Sequence, residues 1–309
     1  MPDSPAGHGK ERANGRCERM SWAEPFIAVD WGTTNRRAWR IEGGVPVAEL
    51  EDACGVLSVD KAGFPAAVAE IRGRLGDHPM LMAGMIGSNR GWVEAPYVPS
   101  PAGLDDLLSA LAWPEPGRTA IVPGLSNADP PDVMRGEEVQ LLGAVDADLV
   151  PGDALVCHPG THNKWVTLSG GKVARFRTVM TGEMFSLLQK HSILSDLLKD
   201  EMAVDDAFCE GVRRGLDGDA ITAILFSVRA GVLLGKRRME DATDYTSGLL
   251  IGADVGSSIS GHDGEVFVMG RPELTKLYAA ALGLAGHKAQ EINGETAFLA
   301  GIKAIAGRL

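Results

Sequence analysis

Apolar positions fall into short alternating runs early in the chain and into helical spacings further on. Residues 26–29 form an apolar run that ends on Asp30, and residues 32–35 carry turn chemistry. Residues 36–41 resume with Arg37, Trp39 and Ile41 alternating around Ala38, and Gly43-Gly44 makes a second turn before residues 45–50. A period of two broken by turn residues predicts an antiparallel meander of strands. Over residues 62–75, Phe64, Val68, Ile71 and Leu75 recur at helical spacing, which predicts a helix. Residues 80–83 and 119–123 are short apolar runs that predict buried strands.

The same order then recurs. Residues 154–157, 164–168 and 172–178 predict strands, with turns at Pro159-Gly160 and Gly170-Gly171. Helical spacing follows over 182–190, 204–216, 220–233 and 243–259, then a strand over 265–269. Helices over 272–284 and 295–305 close the chain, the first with Pro272 at its start. A meander followed by mixed helices and strands, occurring twice, predicts two α/β domains of related design. The junction is placed near residues 129–134, where Asp129-Pro-Pro-Asp132 reads as a stiff linker. The expected division is a disordered tail over 1–24, an N-terminal domain over 25–133 and a C-terminal domain over 134–309.

Composition narrows the partners. The chain has 309 residues, 45% of them hydrophobic, enough for a sizeable core. A formal net charge of −11 argues against nucleic acid or an anionic membrane as a partner, so any anionic ligand must be met by a local cluster of cations and amides. Cys17, Cys54, Cys157 and Cys209 form no C-x-x-C pair. Residues 1–24 lack the apolar stretch of a signal peptide, and no apolar run is long enough to span a bilayer. These features predict a cytoplasmic protein, with monomer and homodimer both left open.

The chemistry concentrates in two Gly-Thr turns. Gly32, Thr33, Thr34 and Asn35 follow Asp30, and Gly160 and Thr161 follow the strand at 154–157. Glycine permits positive φ and close backbone approach, and the amides that follow can cradle phosphate. Asp30 is placed to hold Mg²⁺ through water. Arg36 or Arg37 is within reach of a terminal phosphate. A single turn of this composition is an ordinary hairpin, but two of them suggest a triphosphate gripped between two domains. Glu137 and Glu138 open an amphipathic helix, where the helix dipole favours a carboxylate, and one of them is a candidate general base. Ser88, Asn89, Arg90 and Trp92 follow a predicted buried strand and offer donors, a planar carboxylate partner and an apolar wall, suiting a polar sugar acid. Arg177 and Glu183 are weaker candidates. His158 and His162 are four apart, but the intervening Pro159-Gly160 disfavours the helix a zinc pair would need.

These segments resemble a known family. Asp30-Trp-Gly-Thr-Thr-Asn-Arg-Arg37 is similar to the first phosphate motif of the actin, sugar-kinase and Hsp70 ATPase superfamily. More closely, an ordered set resembles the 2-dehydro-3-deoxygalactonokinase family: Ala28-Val-Asp-Trp-Gly-Thr-Thr-Asn-Arg-Arg-Ala-Trp39, Met82-Ala-Gly-Met-Ile-Gly-Ser-Asn-Arg-Gly-Trp92, Val133-Met-Arg-Gly-Glu-Glu138, Pro159-Gly-Thr-His-Asn-Lys-Trp-Val166, Phe176-Arg-Thr-Val-Met-Thr-Gly-Glu183 and Ser247-Gly-Leu-Leu-Ile-Gly-Ala-Asp254. The resemblance implies two ribonuclease H-like (actin-like ATPase) domains with an interdomain nucleotide cleft. It implies ATP-dependent, Mg²⁺-assisted phosphorylation of 2-dehydro-3-deoxy-D-galactonate at its 6-hydroxyl in galactonate catabolism. By its place before the second turn, Glu137 matches the general-base position of related sugar kinases, with Glu138 as the alternative. Pro159 stands where many superfamily members have Asp. Gly270, ending the strand at 266–270, matches the superfamily's adenosine motif, with Arg271 beside it. The segment Gly252-Ala-Asp-Val-Gly256 is similar to the superfamily's interdomain helix, where small residues allow close packing. Two further readings stay open: a kinase for another keto-deoxy sugar acid, and a nucleotide-gated switch without sugar kinase activity.

Overall fold

The computed structural model describes residue 22, residues 25–199 and residues 201–309. The first half comprises β1 (Phe26–Trp31), β2 (Arg36–Glu42), β3 (Val45–Asp52), α1 (Phe64–Leu75), β4 (Met80–Gly84), β5 (Tyr97–Pro99), α2 (Leu104–Leu108), β6 (Ala112–Glu115), β7 (Thr119–Ile121), β8 (Gly124–Ala128) and β9 (Pro131–Met134). The second comprises α3 (Glu137–Asp146), β10 (Ala154–His158), β11 (Asn163–Ser169), β12 (Lys172–Val179), α4 (Thr181–His191), α5 (Asp206–Leu216), α6 (Ile221–Ile224), α7 (Phe226–Leu233), α8 (Ala242–Ser258), β13 (Val266–Gly270), α9 (Pro272–Leu284), β14 (Ala289–Asn293) and α10 (Gly294–Ala306).

Two sheets share one design. The first runs β3-β2-β1-β4-β7-β6 and the second β12-β11-β10-β13-β14. In each, an antiparallel meander is extended by parallel strands on the side of its first strand: β1 is antiparallel to β2 and parallel to β4, and β10 is antiparallel to β11 and parallel to β13, while β6 ends the first sheet antiparallel to β7. The repetition inferred from element order is therefore present in the topology.

Strand alternation explains which side chains face where. Ile27, Val29 and Trp31 of β1 pack with Phe64, Val68 and Ile71 of α1 on one face. Phe26 and Ala28 face the other way, into a core shared with the second sheet. Helices α3 and α10 fill this core, and Trp39 of β2 meets Phe298 of α10 with ring centroids 5.6 Å apart. The two helices cross at glycine. A Cβ on Gly143 would lie 2.3 Å from the Gly301 nitrogen, and one on Gly301 would lie 2.0 Å from the Val139 oxygen.

Several expectations change. Residues 129–134 are not a linker: they close the β8–β9 hairpin, and the Asp132 carboxylate accepts the Thr178 amide and hydroxyl of β12, both at 2.6 Å. The helix expected over 220–233 is split into α6 and α7. β14 was not foreseen, because Ala-Gln-Glu-Ile-Asn is a mostly polar edge strand with only Ile292 buried. The tail expected over 1–24 lies outside the described residues except Trp22, which is buried against Phe26 and Trp113. No helix among the described residues is long and apolar enough to cross a membrane.

Candidate functional site

The two Gly-Thr turns open on one cavity of about 440 Å³. Asp30, Thr34, Asn35 and Arg37 line it from the first sheet, and His158, Pro159, Gly160 and Thr161 from the second. Gly270 ends β13 and Arg271 follows it, and Asn293, Gly294 and Glu295 contribute the start of α10.

The first turn is held by a strap. The Gly32 amide donates to the Asn35 carbonyl at 2.9 Å. The carbonyls of Gly32, Thr33 and Thr34 accept the amides of Val56, Leu57 and Gly55. A trans peptide sets each N–H opposite the preceding carbonyl, so the amides of Thr33, Thr34 and Asn35 point away from the strap. Thr34 and Asn35 line the cavity, whereas Gly32 and Thr33 do not. Gly32 does not have the positive φ expected of it. Tightness explains the small residue instead: its Cβ would lie 3.3 Å from the Asn35 oxygen. Gly55, which sequence reasoning passed over, has the sharper requirement, because its Cβ would fall 2.3 Å from Thr33 and Thr34 backbone atoms.

Arg36 is not available to a phosphate. Its side chain is fully buried on the α1 face, bonded to Asp52 at 2.6 Å and lying 5.1 Å from the Trp31 ring centroid. Strand parity is the reason: Arg36 shares a face with Ala38, while Arg37 sits across from Asp30 in the ladder. The Arg37 guanidinium donates to Asp30 at 2.8 Å and to Glu295 at 3.3 Å, inside the cavity.

α3 begins at Glu137, after Gly136 with φ of 110°. The two glutamates separate sharply. Glu138 is fully buried and both its oxygens accept the Gly136 amide, at 2.8 and 2.7 Å. Burial, reinforced by the neighbouring Glu137 charge, pushes its carboxyl up to about 8. Glu137 is about one-fifth exposed; its Oε2 accepts the Arg135 amide at 3.1 Å and its Oε1 lies 3.8 Å from Lys164 Nζ. Lys164 is nearly buried and pairs in register with His158 on the neighbouring strand. The His158 ring nitrogen is 2.9 Å from Gln140 Oε1 of α3, and burial lowers its imidazole below the ordinary range. Lys164, His158 and Gln140 thus join the second turn to α3.

The loop after β4 is less central than expected. Ser88, Asn89, Arg90 and Trp92 do not line the cavity. Ser88 is buried and its hydroxyl accepts the Arg90 amide, Asn89 and Arg90 are exposed, and Trp92 packs on the core beneath α1. The loop nonetheless leaves the centre directly, since a Cβ on Gly136 would lie 3.2 Å from Gly84 Cα at the end of β4. Arg135 ties it to α3, donating to the Ala95 carbonyl at 2.8 Å with its guanidinium carbon 4.3 Å from the Tyr97 ring centroid.

Behind the second turn lies a smaller, apolar pocket of about 220 Å³ that shares Pro159, Gly160, Thr161 and Leu274 with the first. A Cβ on Gly160 would meet nothing within 4 Å. His162 is exposed and pairs with Glu183 at 2.5 Å rather than with His158. Arg177 is also exposed, bonding Ser257 and Ser258. Beneath the pocket, the buried Asp254 carboxylate accepts from Asn163, Trp165, Thr181 and Tyr278 at 2.6–2.8 Å. This network fixes β11, α4, α8 and α9 around the turn. It was legible only as part of a small-residue helix motif, because its donors come from distant segments.

The fold is a mixed α/β architecture shared with solved proteins of low sequence identity. A Clostridium difficile activator of 2-hydroxyisocaproyl-CoA dehydratase, solved with bound ADPNP, superposes with a TM-score of 0.50 at 12% identity, covering 92% of this chain and 95% of its own. The particular family is set by sequence: the chain belongs to the 2-keto-3-deoxy-galactonokinase family, which it matches over residues 30–305. It is 39% identical over 293 residues to the 2-dehydro-3-deoxygalactonokinase of Escherichia coli strain K12, covering 91% of this chain and 97% of the relative. A solved Sinorhizobium meliloti protein whose name proposes the same activity superposes with a TM-score of 0.85 at 38% identity, covering 91% of this chain and 98% of its own. Membership of a kinase family favours an enzyme over a nucleotide-gated switch.

Proposed function

We propose that this chain transfers the γ-phosphoryl group of ATP to the 6-hydroxyl of 2-dehydro-3-deoxy-D-galactonate, a step of galactonate catabolism in the cytoplasm. The observation that carries the reading is one cavity lined by both Gly-Thr turns, in a chain that belongs to a kinase family named for this sugar acid. The two sheets are read as the centres of two actin-like domains whose approach closes the cavity over the reactants and excludes water.

The residues suit a triphosphate and its metal. The amides of Thr34, Asn35, Gly160 and Thr161 are donors for phosphate oxygens, and the open space at the Gly160 Cβ position admits a ligand against the backbone. Arg37 and Arg271 supply positive charge at the wall. Asp30 provides the single carboxylate that Mg²⁺ needs when it keeps most of its water. Mg²⁺ bound there would neutralise phosphate charge. The apolar pocket beside the second turn accepts the base, so Gly270 faces the phosphate and ribose side rather than the purine.

Glu137 acts as the general base. The sugar 6-oxygen attacks the γ-phosphorus, the bond from that phosphorus to the β–γ bridging oxygen breaks, and the hydroxyl proton passes to Glu137. Lys164 holds the carboxylate from the second sheet, and the backbone amide of Arg135 holds it from the loop. Glu138, turned inward and bonded to Gly136, is spent on the start of the helix. The loop carrying Ser88, Asn89, Arg90 and Trp92 is assigned to the acid end of the sugar, brought in by closure.

The test is Glu137→Gln. This variant keeps ATP binding and loses about 10²–10⁴-fold in kcat, the usual contribution of a positioned base. Isothermal titration with ATP and a coupled ADP assay read the two separately. Activity near wild type in that variant moves the base elsewhere.

A further inference from the structure

Ser247 is an anomaly in the apolar pocket. It is 2% exposed, and its hydroxyl makes no hydrogen bond to any described group. A buried polar group without a partner destabilises the fold, so such a group points to a ligand that supplies the partner.

Helix geometry aims Ser247 at the pocket. Ser247, Leu250, Ile251 and Asp254 stand at i, i+3, i+4 and i+7 along α8, and thus on one face. The first three line the pocket, and Asp254 lies beneath it. The next face is packed against α5, where a Cβ on Gly248 would lie 2.1 Å from the Phe208 oxygen. Two other hydroxyls at the pocket are engaged, since Thr181 and Tyr278 both donate to Asp254. Ser247 Oγ is left with both donor and acceptor functions free. Rotation between staggered χ1 positions swings it across the pocket wall. The chemistry of the occupant follows. Apolar walls disfavour the carboxylated sugar acid and suit a flat heteroaromatic ring with a polar edge. The shared Gly160-Thr161 wall puts that ring next to the phosphate cavity.

We propose that Ser247 reads the purine base of the nucleotide, exchanging a hydrogen bond with the 6-amino group or N7 of adenine. This rests on the reading of the chain as an ATP-dependent kinase. It makes Ser247 a specificity-determining residue whose cost to the free protein is recovered when the nucleotide binds.

Ser247→Ala tests it in the full chain. Without nucleotide the variant melts at a higher temperature than wild type, because the orphaned hydroxyl is gone. Its KM for ATP rises about tenfold at unchanged kcat, the loss of roughly one hydrogen bond. Two analogues supply an independent readout: purine riboside 5′-triphosphate lacks the 6-amino group, and 7-deaza-ATP lacks the N7 acceptor. Wild type discriminates against at least one of them by a similar factor, and Ser247→Ala does not. Indifference of wild type to both analogues, or equal discrimination by wild type and variant, overturns the proposal. Absence of any sugar-dependent ADP formation by wild type defeats the kinase reading instead.

Discussion

Arg36 and Arg37 are neighbours in sequence and opposites in space. Arg36 is buried with Asp52 against Trp31 beneath α1, and Arg37 reaches Asp30 and Glu295 in the cavity. Their substitutions should therefore separate stability from catalysis. Arg36→Ala strips a fully buried guanidinium from its ion pair, and urea denaturation should show a loss of about 3 kcal/mol with little change in the KM for ATP. Arg37→Ala removes a partly exposed group worth less than about 1 kcal/mol to the fold, and should raise the KM for ATP by about tenfold. The reverse pattern would put Arg36 at the phosphates. The distinction was available in the sequence: Arg37 shares the parity of Trp39 and Ile41, and its partner across the ladder is Asp30. The φ of Gly32 differs from expectation because turn composition does not fix its sign, whereas the need for glycine at position 55 arises from a contact with Thr33 and Thr34 that only the fold creates.

At the scale of elements, α3 joins the two sheets and carries both glutamates in its first turn. Glu138 holds its proton to about pH 8, against an ordinary value of 4.5 for the unfolded chain. Between these values the folded state binds more protons than the unfolded one, so stability declines as pH rises through that window. Glu138→Gln has no proton to lose. Chemical denaturation at pH 5 and pH 8 should show wild type losing a few kcal/mol across the interval and the variant losing much less. Equal slopes would mean that Glu138 is ionised in the folded protein. The amphipathic elements were readable in advance: α1 buries Phe64, Val68, Ile71 and Leu75 as its spacing predicts, and α9 spans the residues assigned to it. Elements whose sequence does not announce burial were not. β14 has one buried side chain, and the β8–β9 hairpin hides behind a Pro-Pro turn that reads as a linker. The Asp254 network depends on residues 163, 165, 181 and 278 converging, which no local pattern encodes.

At the scale of the whole molecule, a chain of net charge −11 concentrates Arg37, Lys164 and Arg271 around one centre between two sheets of matching topology. In the proposed reaction each sheet contributes half of what phosphoryl transfer requires. The first gives Asp30, Arg37 and the amides after Gly32, and the second gives Gly160, Thr161 and Lys164. The α3 helix carries Glu137, whose carboxylate lies 3.8 Å from Lys164 Nζ of the second sheet. On the proposed reading neither half performs the chemistry alone, so nucleotide consumption should depend on the sugar acid that completes the closed form. The direct measurement is ADP release by the purified chain with Mg²⁺ and ATP, with and without 2-dehydro-3-deoxy-D-galactonate, and the phosphorylated product identified by mass and NMR. The account predicts ADP formation that requires the sugar acid and matches the yield of its 6-phosphate. ADP formation at the same rate without the sugar, or none with it, would contradict the account.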